Sequence, residues 1–185
     1  MSKTLKILLA SFLALSLCTA IGCGSSDDTE PEKKLEDYMP ASGAISGWTE
    51  DLSQGEAGVE AAYTVDDGEM MINGALDPFV DTGKWAALAI EYYVNGETTI
   101  QLRIFEMTDA AGAAEVFEHL ATHPEGIPWA DITLGDEGRM AEMATNWLLH
   151  TTHGKYFVET TTMPRSADTE QPAMDFAAAV LNGLP

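Results

Sequence analysis

The chain predicts an α+β fold, an antiparallel β-sheet with helices on one face, made of two strand-turn-strand-helix units. Three observations predict it. Segments with apolar residues at every second position recur in pairs. Each pair is joined near a turn glycine, Gly96 or Gly154. Each pair is followed by a segment whose apolar residues form one helical stripe. Residue identity between the two units is poor. They share a supersecondary plan, with an old duplication as one origin, and are not a solenoid repeat.

In chain order, Ile45-Ser46-Gly47-Trp48 reads as a turn that docks Trp48. Val59, Ala61, Tyr63 and Val65 alternate as in a strand. Asp66-Asp67-Gly68 signals a turn and a helix start. Met70 to Val80 then reads as one helix ending near Thr82-Gly83, in which Gly74-Ala75 is small enough for close packing. Ala86 to Val94 and Thr99 to Ile104 form a hairpin about Asn95-Gly96, with one face on the core and one more exposed. Asp109 caps a helix from Ala110 to His123, stopped by Pro124 and Gly126. A loop holds Pro128 and Trp129. Arg139 to Ala144 reads as a strand, Trp147 to Thr151 and Tyr156 to Thr162 as a hairpin, and Gln171 to Leu181 as the last helix.

The first residues follow the plan of a secretory signal. Lys3 and Lys6 precede an apolar run from Ile7 to Leu17, interrupted by Ser11 and Ser16. That run is too short for a spanning helix, which needs roughly 20 apolar residues. Ala20-Ile21-Gly22-Cys23 ends it and resembles the lipobox of bacterial lipoproteins, with Ala20 in place of the usual Leu. The resemblance implies a diacylated Cys23 that anchors the chain to a membrane, with palmitate-type acyl chains. The competing reading is ordinary cleavage near Ala20 or Gly22 and a freely secreted protein. Residues 1–22 are thus read as signal peptide, 23–37 as a flexible acidic tether and 38–185 as a single domain. Gly24 after the cysteine, by the same resemblance, favours the outer membrane facing the periplasm in a Gram-negative envelope.

Cys18 leaves with the signal and Cys23 carries lipid, so the domain keeps no thiol for a disulfide, a metal site or a nucleophile. Removing residues 1–22 takes away Lys3 and Lys6 and no acid, so the formal charge goes from −21 to −23. Nucleic acid is excluded as a partner by the lack of cationic clusters. Lys33-Lys34, the one basic pair, falls in the tether. The expected partners are the membrane, through lipid on Cys23, and an envelope protein or small ligand.

Gly68 to Gly83, with Ile72-Asn73-Gly74-Ala75, Asp77, Phe79 and Gly83, resembles an uncharacterised family of bacterial exported proteins of the DUF6599 type. Gly47-Trp48 and the stretch Phe105-Glu106-Met107, Asp109 and Ala113 extend the likeness over roughly Ile45 to Phe117. The resemblance brings no activity. It implies that Asn73 and Gly74 are structural, the glycine by close packing and the asparagine by a backbone hydrogen bond.

Four histidines are the candidates for chemistry. His119 and His123 share a helical face by their spacing. That spacing can chelate zinc, given a third ligand. His150 and His153 flank a hairpin turn, with Thr151, Thr152 and Glu159 near. In both pairs the simpler reading is a histidine at a helix end or in solvent. Gly-x-Ser-x-Gly, phosphate-loop, dinucleotide and EF-hand patterns are all missing. The nine methionines are spread over apolar positions, as core filling rather than a copper site. Trp48, Trp85, Trp129 and Trp147 read as core or loop anchors before a ligand groove. No cofactor is expected. The function this supports is a non-enzymatic binding or interaction module on an envelope lipoprotein. The alternative is an envelope hydrolase or metal-dependent enzyme.

Overall fold

Eight strands form one antiparallel sheet in the order β1-β3-β4-β8-β7-β6-β5, with β2 also paired to β3. The computed structural model describes residues 33–53 and 58–185. The signal segment, Cys23 and the tether through residue 32 lie outside the described residues. The strands are β1 (Thr49–Glu50), β2 (Glu60–Ala62), β3 (Trp85–Asn95), β4 (Thr98–Met107), β5 (Trp129–Asp131), β6 (Glu137–Glu142), β7 (Trp147–His153) and β8 (Tyr156–Met163). The helices are α1 (Val65–Met71), α2 (Asp77–Val80), α3 (Ala110–Thr122) and α4 (Ala167–Gly183), after a 3-10 turn at Leu35–Tyr38.

The α+β class, the antiparallel sheet and both hairpins are as the sequence predicts. Helices on one face are not. Along β4, Ile100, Leu102 and Ile104 pack with Phe176, Ala177 and Val180 of α4. Phe105 and Met107, on the other face, pack with Ala113, Val116 and Phe117 of α3 and with Phe79 of α2. Side chains alternate across a strand, so α4 covers one face and α1 to α3 the other. The face of the first hairpin expected to be more exposed is half-buried at Thr99, Gln101 and Arg103 and buried at Phe105 and Met107.

This placement settles how the two units are related. β4 and β8 are antiparallel neighbours at the sheet centre, with β3 and β7 outside them. Their helices leave on opposite faces. Seen from its own helix, with the second strand pointing up, one unit has its first strand on the left and the other on the right. The units have opposite hand, and no rotation superposes them.

Several boundaries move, each for a local reason. Leu35, expected in the tether, is a core residue at 2% exposure. The single helix expected from Met70 to Val80 is two helices. Thr64 caps α1 by accepting from the Asp67 N–H, so the helix begins before Asp66. Asn73 (φ 52°) and Gly74 (φ 80°) then take left-handed backbone, which ends it. β5 falls where a loop is expected; three residues are too few to show a period. α4 starts at Ala167, with Ser166 at its cap and Pro172 inside its early turns.

Close packing is needed at Gly68, not at Gly74. A Cβ on Gly68 would lie 2.8 Å from Leu76 Cδ2 and 3.3 Å from the Trp85 ring. Leu76 is fully buried and has no room to yield. At Gly74 a Cβ would meet only Glu69 Oε2, at 3.8 Å.

One buried carboxyl lies on the α4 face. Glu91 is 2% exposed. The Tyr93 hydroxyl is 2.7 Å from both Glu91 Oε2 and the Pro40 carbonyl oxygen. A phenol has one proton for these two acceptors. A protonated Glu91 satisfies all three groups by donating to Tyr93, which donates to Pro40. Burial pushes the Glu91 carboxyl up to about 7, with Glu50 adding to the rise and the Tyr93 bond opposing it.

Gly68→Val is expected to destabilise the fold by about 2 kcal/mol through overpacking, which outweighs the small gain in helix propensity over glycine; urea titration reads this. Glu91 binds its proton more tightly folded than unfolded, so stability falls as pH rises from about 4.5 to about 7. The slope from this group reaches about 1.4 kcal/mol per pH unit. Glu91→Gln should remove that component. Melting curves at pH 5 and pH 8 should show the variant gaining on the wild type at the higher pH.

Candidate functional site

A row of polar side chains crosses the α3 face of the sheet at one level. Arg103 pairs with Glu159 in the β4–β8 register, Glu159 with His150 in β8–β7, and His150 with Arg139 in β7–β6. Phe105 and Phe157 stand on the same face beside them. The sheet register thus makes neighbours of residues far apart in sequence.

The contacts fix the protonation of the row. Arg103 Nη1 donates to Glu159 Oε1 at 2.9 Å. His150 Nε2 is 3.1 Å from Glu159 Oε2, and His150 Nδ1 is 3.2 Å from Arg139 Nη2. Arg139 can only donate and an ionised Glu159 can only accept. His150 is therefore the neutral Nε2–H tautomer. It accepts from Arg139 and donates to Glu159. Burial pushes the His150 imidazole below its ordinary value, Glu159 draws it upward, and Arg139 pushes it further down. Burial alone would raise the Glu159 carboxyl; His150 and Arg103 outweigh burial and hold it below the ordinary carboxylate range.

Arg139 closes the row. Its guanidinium lies 4.1 Å from the Phe117 ring centre and 4.5 Å from that of Trp129. Nη2 donates to the Phe117 carbonyl at 2.6 Å. Burial pushes its pKa down to about 10, against the pull of Glu118, Glu137 and Asp131. It therefore stays charged at neutral pH.

A cavity of about 400 Å³ opens over the Arg103 end. Its lining includes Gly74, Asp77, Arg103, His119, His123 and Glu159. The loop after α1, the end of α3 and the sheet centre meet there. The His119 and His123 rings stack at 4.6 Å and 8°, so the predicted shared face is real. Arg103 Nε is buried without a hydrogen-bond partner among the described residues. The cavity can thus offer a small polar molecule one cation, two carboxylates, two imidazoles and the Phe79 and Phe105 rings.

Of the predicted site residues, Gly74, His119 and His123 line this cavity, and His150 lies behind Glu159. Asn73, next to Gly74, is exposed, and what the structure gives it is a backbone role, through positive φ. His153 is elsewhere. It lies on the opposite face of β7 from His150, 3.8 Å from Asp136 Oδ1, beside Leu181 of α4. The two turn histidines are not brought together. No group of three or more His, Cys, Asp or Glu positioned to hold a metal occurs among the described residues. Trp48 is a core anchor at 4% exposure, and Trp147 Nε1 donates to the Ser166 carbonyl at 2.9 Å.

Arg103 and Arg139 are the residues that sequence reasoning missed; Glu159 it placed near His150, where the structure has it. A signal was present. Phe105 stands two residues after Arg103 and Phe157 two before Glu159. Bulky apolar side chains on the same face as a charge show that the face is covered.

No protein-family model matches the chain. No match is found among curated proteins. Among solved structures, the extracellular domain of PknH from Mycobacterium tuberculosis is similar at 11% identity, with a TM-score of 0.40, over 70% of this chain and 78% of that one. The likeness to the DUF6599 type accordingly rests on the residues quoted for it.

Glu159→Gln should leave Arg103 without its counter-charge and cost about 2–3 kcal/mol, read by denaturant titration. Imidazole nitrogen shifts should show His150 as the neutral Nε2–H tautomer at neutral pH.

Proposed function

We propose that this chain is an exported lipoprotein, held at a bacterial envelope by acyl chains on Cys23, whose domain binds a ligand or partner there without catalysis. The observation that carries the reading is Ala20-Ile21-Gly22-Cys23 at the end of a short apolar run behind Lys3 and Lys6. One acyl chain gives reversible binding, and two or three hold firmly, at about 0.8 kcal/mol per buried methylene. With Gly24 after the cysteine, the outer membrane facing the periplasm is the favoured place in a Gram-negative cell.

The row geometry supports binding over catalysis. A general base must exchange a proton with substrate. His150 is 2% exposed and both its ring nitrogens are engaged. The 400 Å³ cavity is of a size that takes a small ligand. Arg103 in its lining supplies a cation for an acceptor.

Intact-mass analysis of the protein purified from membranes should find residues 1–22 removed and Cys23 diacylated or triacylated. Cys23→Ala should leave the signal uncut and the acyl mass missing. An unmodified thiol at Cys23 in native material would overturn the reading.

A further inference from the structure

A second cavity, of about 670 Å³, lies at the other end of the described chain, where Lys33, Lys34 and Lys155 meet Tyr38, Tyr63 and Tyr156. We infer that this cleft is an anion site for a phosphate ester, whose uncharged body lies against the tyrosine rings. Seven basic residues follow Cys23 in the sequence, and three of them line this one cavity. In a chain so acidic, that concentration is a local reversal of charge.

The rings and acids around the cleft hold the ammonium groups in place. Lys33 Nζ is 5.5 Å from the Tyr38 ring centre, and Lys155 Nζ is 5.4 Å from that of Tyr156. The two rings are tilted at 6.2 Å from one another. Glu106 pairs with Lys155. Glu36 accepts from the Tyr63 hydroxyl and lies 3.8 Å from Lys34. Two carboxylates face three ammonium groups, and Lys33 makes no ion pair among the described residues. Pro185 also lines the cleft, and Lys33 is the ammonium group left over from the two pairs. A carboxylate ligand would merely duplicate what Glu36 and Glu106 already offer. A phosphate, with up to about two charges and three terminal oxygens, can draw all three flexible lysines at once.

The anchor makes one source of such phosphate immediate. Lys33 is ten residues beyond Cys23, so an acylated cysteine keeps it within roughly 36 Å of the bilayer surface. The acidic domain is repelled by anionic headgroups, whereas this cleft is the part of it that attracts them. The lipid source rests on the proposed acylation of Cys23; a soluble phosphate ester does not.

Lysine-methylation footprinting of the acylated full chain tests this. Its states are neutral detergent alone, detergent with glycerol phosphate, and nanodiscs of phosphatidylcholine or phosphatidylglycerol. Lys155 is decisive, because only the fold brings it beside Lys33 and Lys34. The expected result is about threefold slower modification of Lys155, as at a ligand concentration twice the dissociation constant. Lys84, held by Asp109 and Glu115 at 3.5 and 3.9 Å, should not change. Protection by glycerol phosphate identifies a soluble-ester site. Protection only in phosphatidylglycerol discs identifies the headgroup. Tyr156→Leu should weaken either without unfolding the chain, as checked by its melting curve. Equal modification of Lys155 in all four states overturns the inference, even where the intact mass shows Cys23 acylated.

Discussion

Glu159 is a carboxylate near the centre of a sheet covered on both sides, and the packing around it follows from that constraint. A charge there has little water to fall back on, so most of its satisfaction comes from strands on each side. Arg103 comes from β4 and His150 from β7. His150 can serve only as a neutral donor, which requires something to occupy its other nitrogen without adding a proton there. Arg139 does so, held between two aromatic rings. One buried charge thus dictates a tautomer, a second cation and an aromatic clamp. The whole row depends on the register of three strand pairs.

The same covering explains why the row and the cavity belong together. α3 lies over β7 and β8 and contributes the Phe117 carbonyl at one end and the His119–His123 stack at the other. The left-handed pair Asn73-Gly74 turns the chain away from α1 so that α2 can lay Phe79 flat on Phe105, with rings 3.7 Å apart. The segment that resembles the DUF6599 type therefore builds one wall of the cavity. Within this chain that segment has a geometric content: a helix stop, a short second helix and an aromatic lid.

Two regions of the domain hold their charges differently. The α3 face holds two guanidinium cations and one carboxylate linked through a neutral His150. Beside the 3-10 turn at Leu35–Tyr38, three lysines are only partly balanced by two acids. Glu91, on the α4 face, is a third case, a carboxyl whose pKa burial raises to about 7. Burial decides which charges are structural. Exposure leaves the others free to meet a ligand.

By itself the sequence determined the class, the antiparallel hairpins, the capped helix α3 and the candidate lipid anchor at Cys23. Those follow from local rules: alternation, turn glycines, Asp109 as a cap, an apolar run before a cysteine. It also placed His119 and His123 on one face, because helical spacing is local. Which face each helix covers was decided only by tertiary structure, since both faces of β4 carry apolar residues and either could take α3. The polar row was likewise hidden, because Arg103, Arg139, His150 and Glu159 are joined by register across strands. Gly68 shows the same limit in small: nothing near it in sequence says that Leu76 and Trp85 will leave no space for a methyl group.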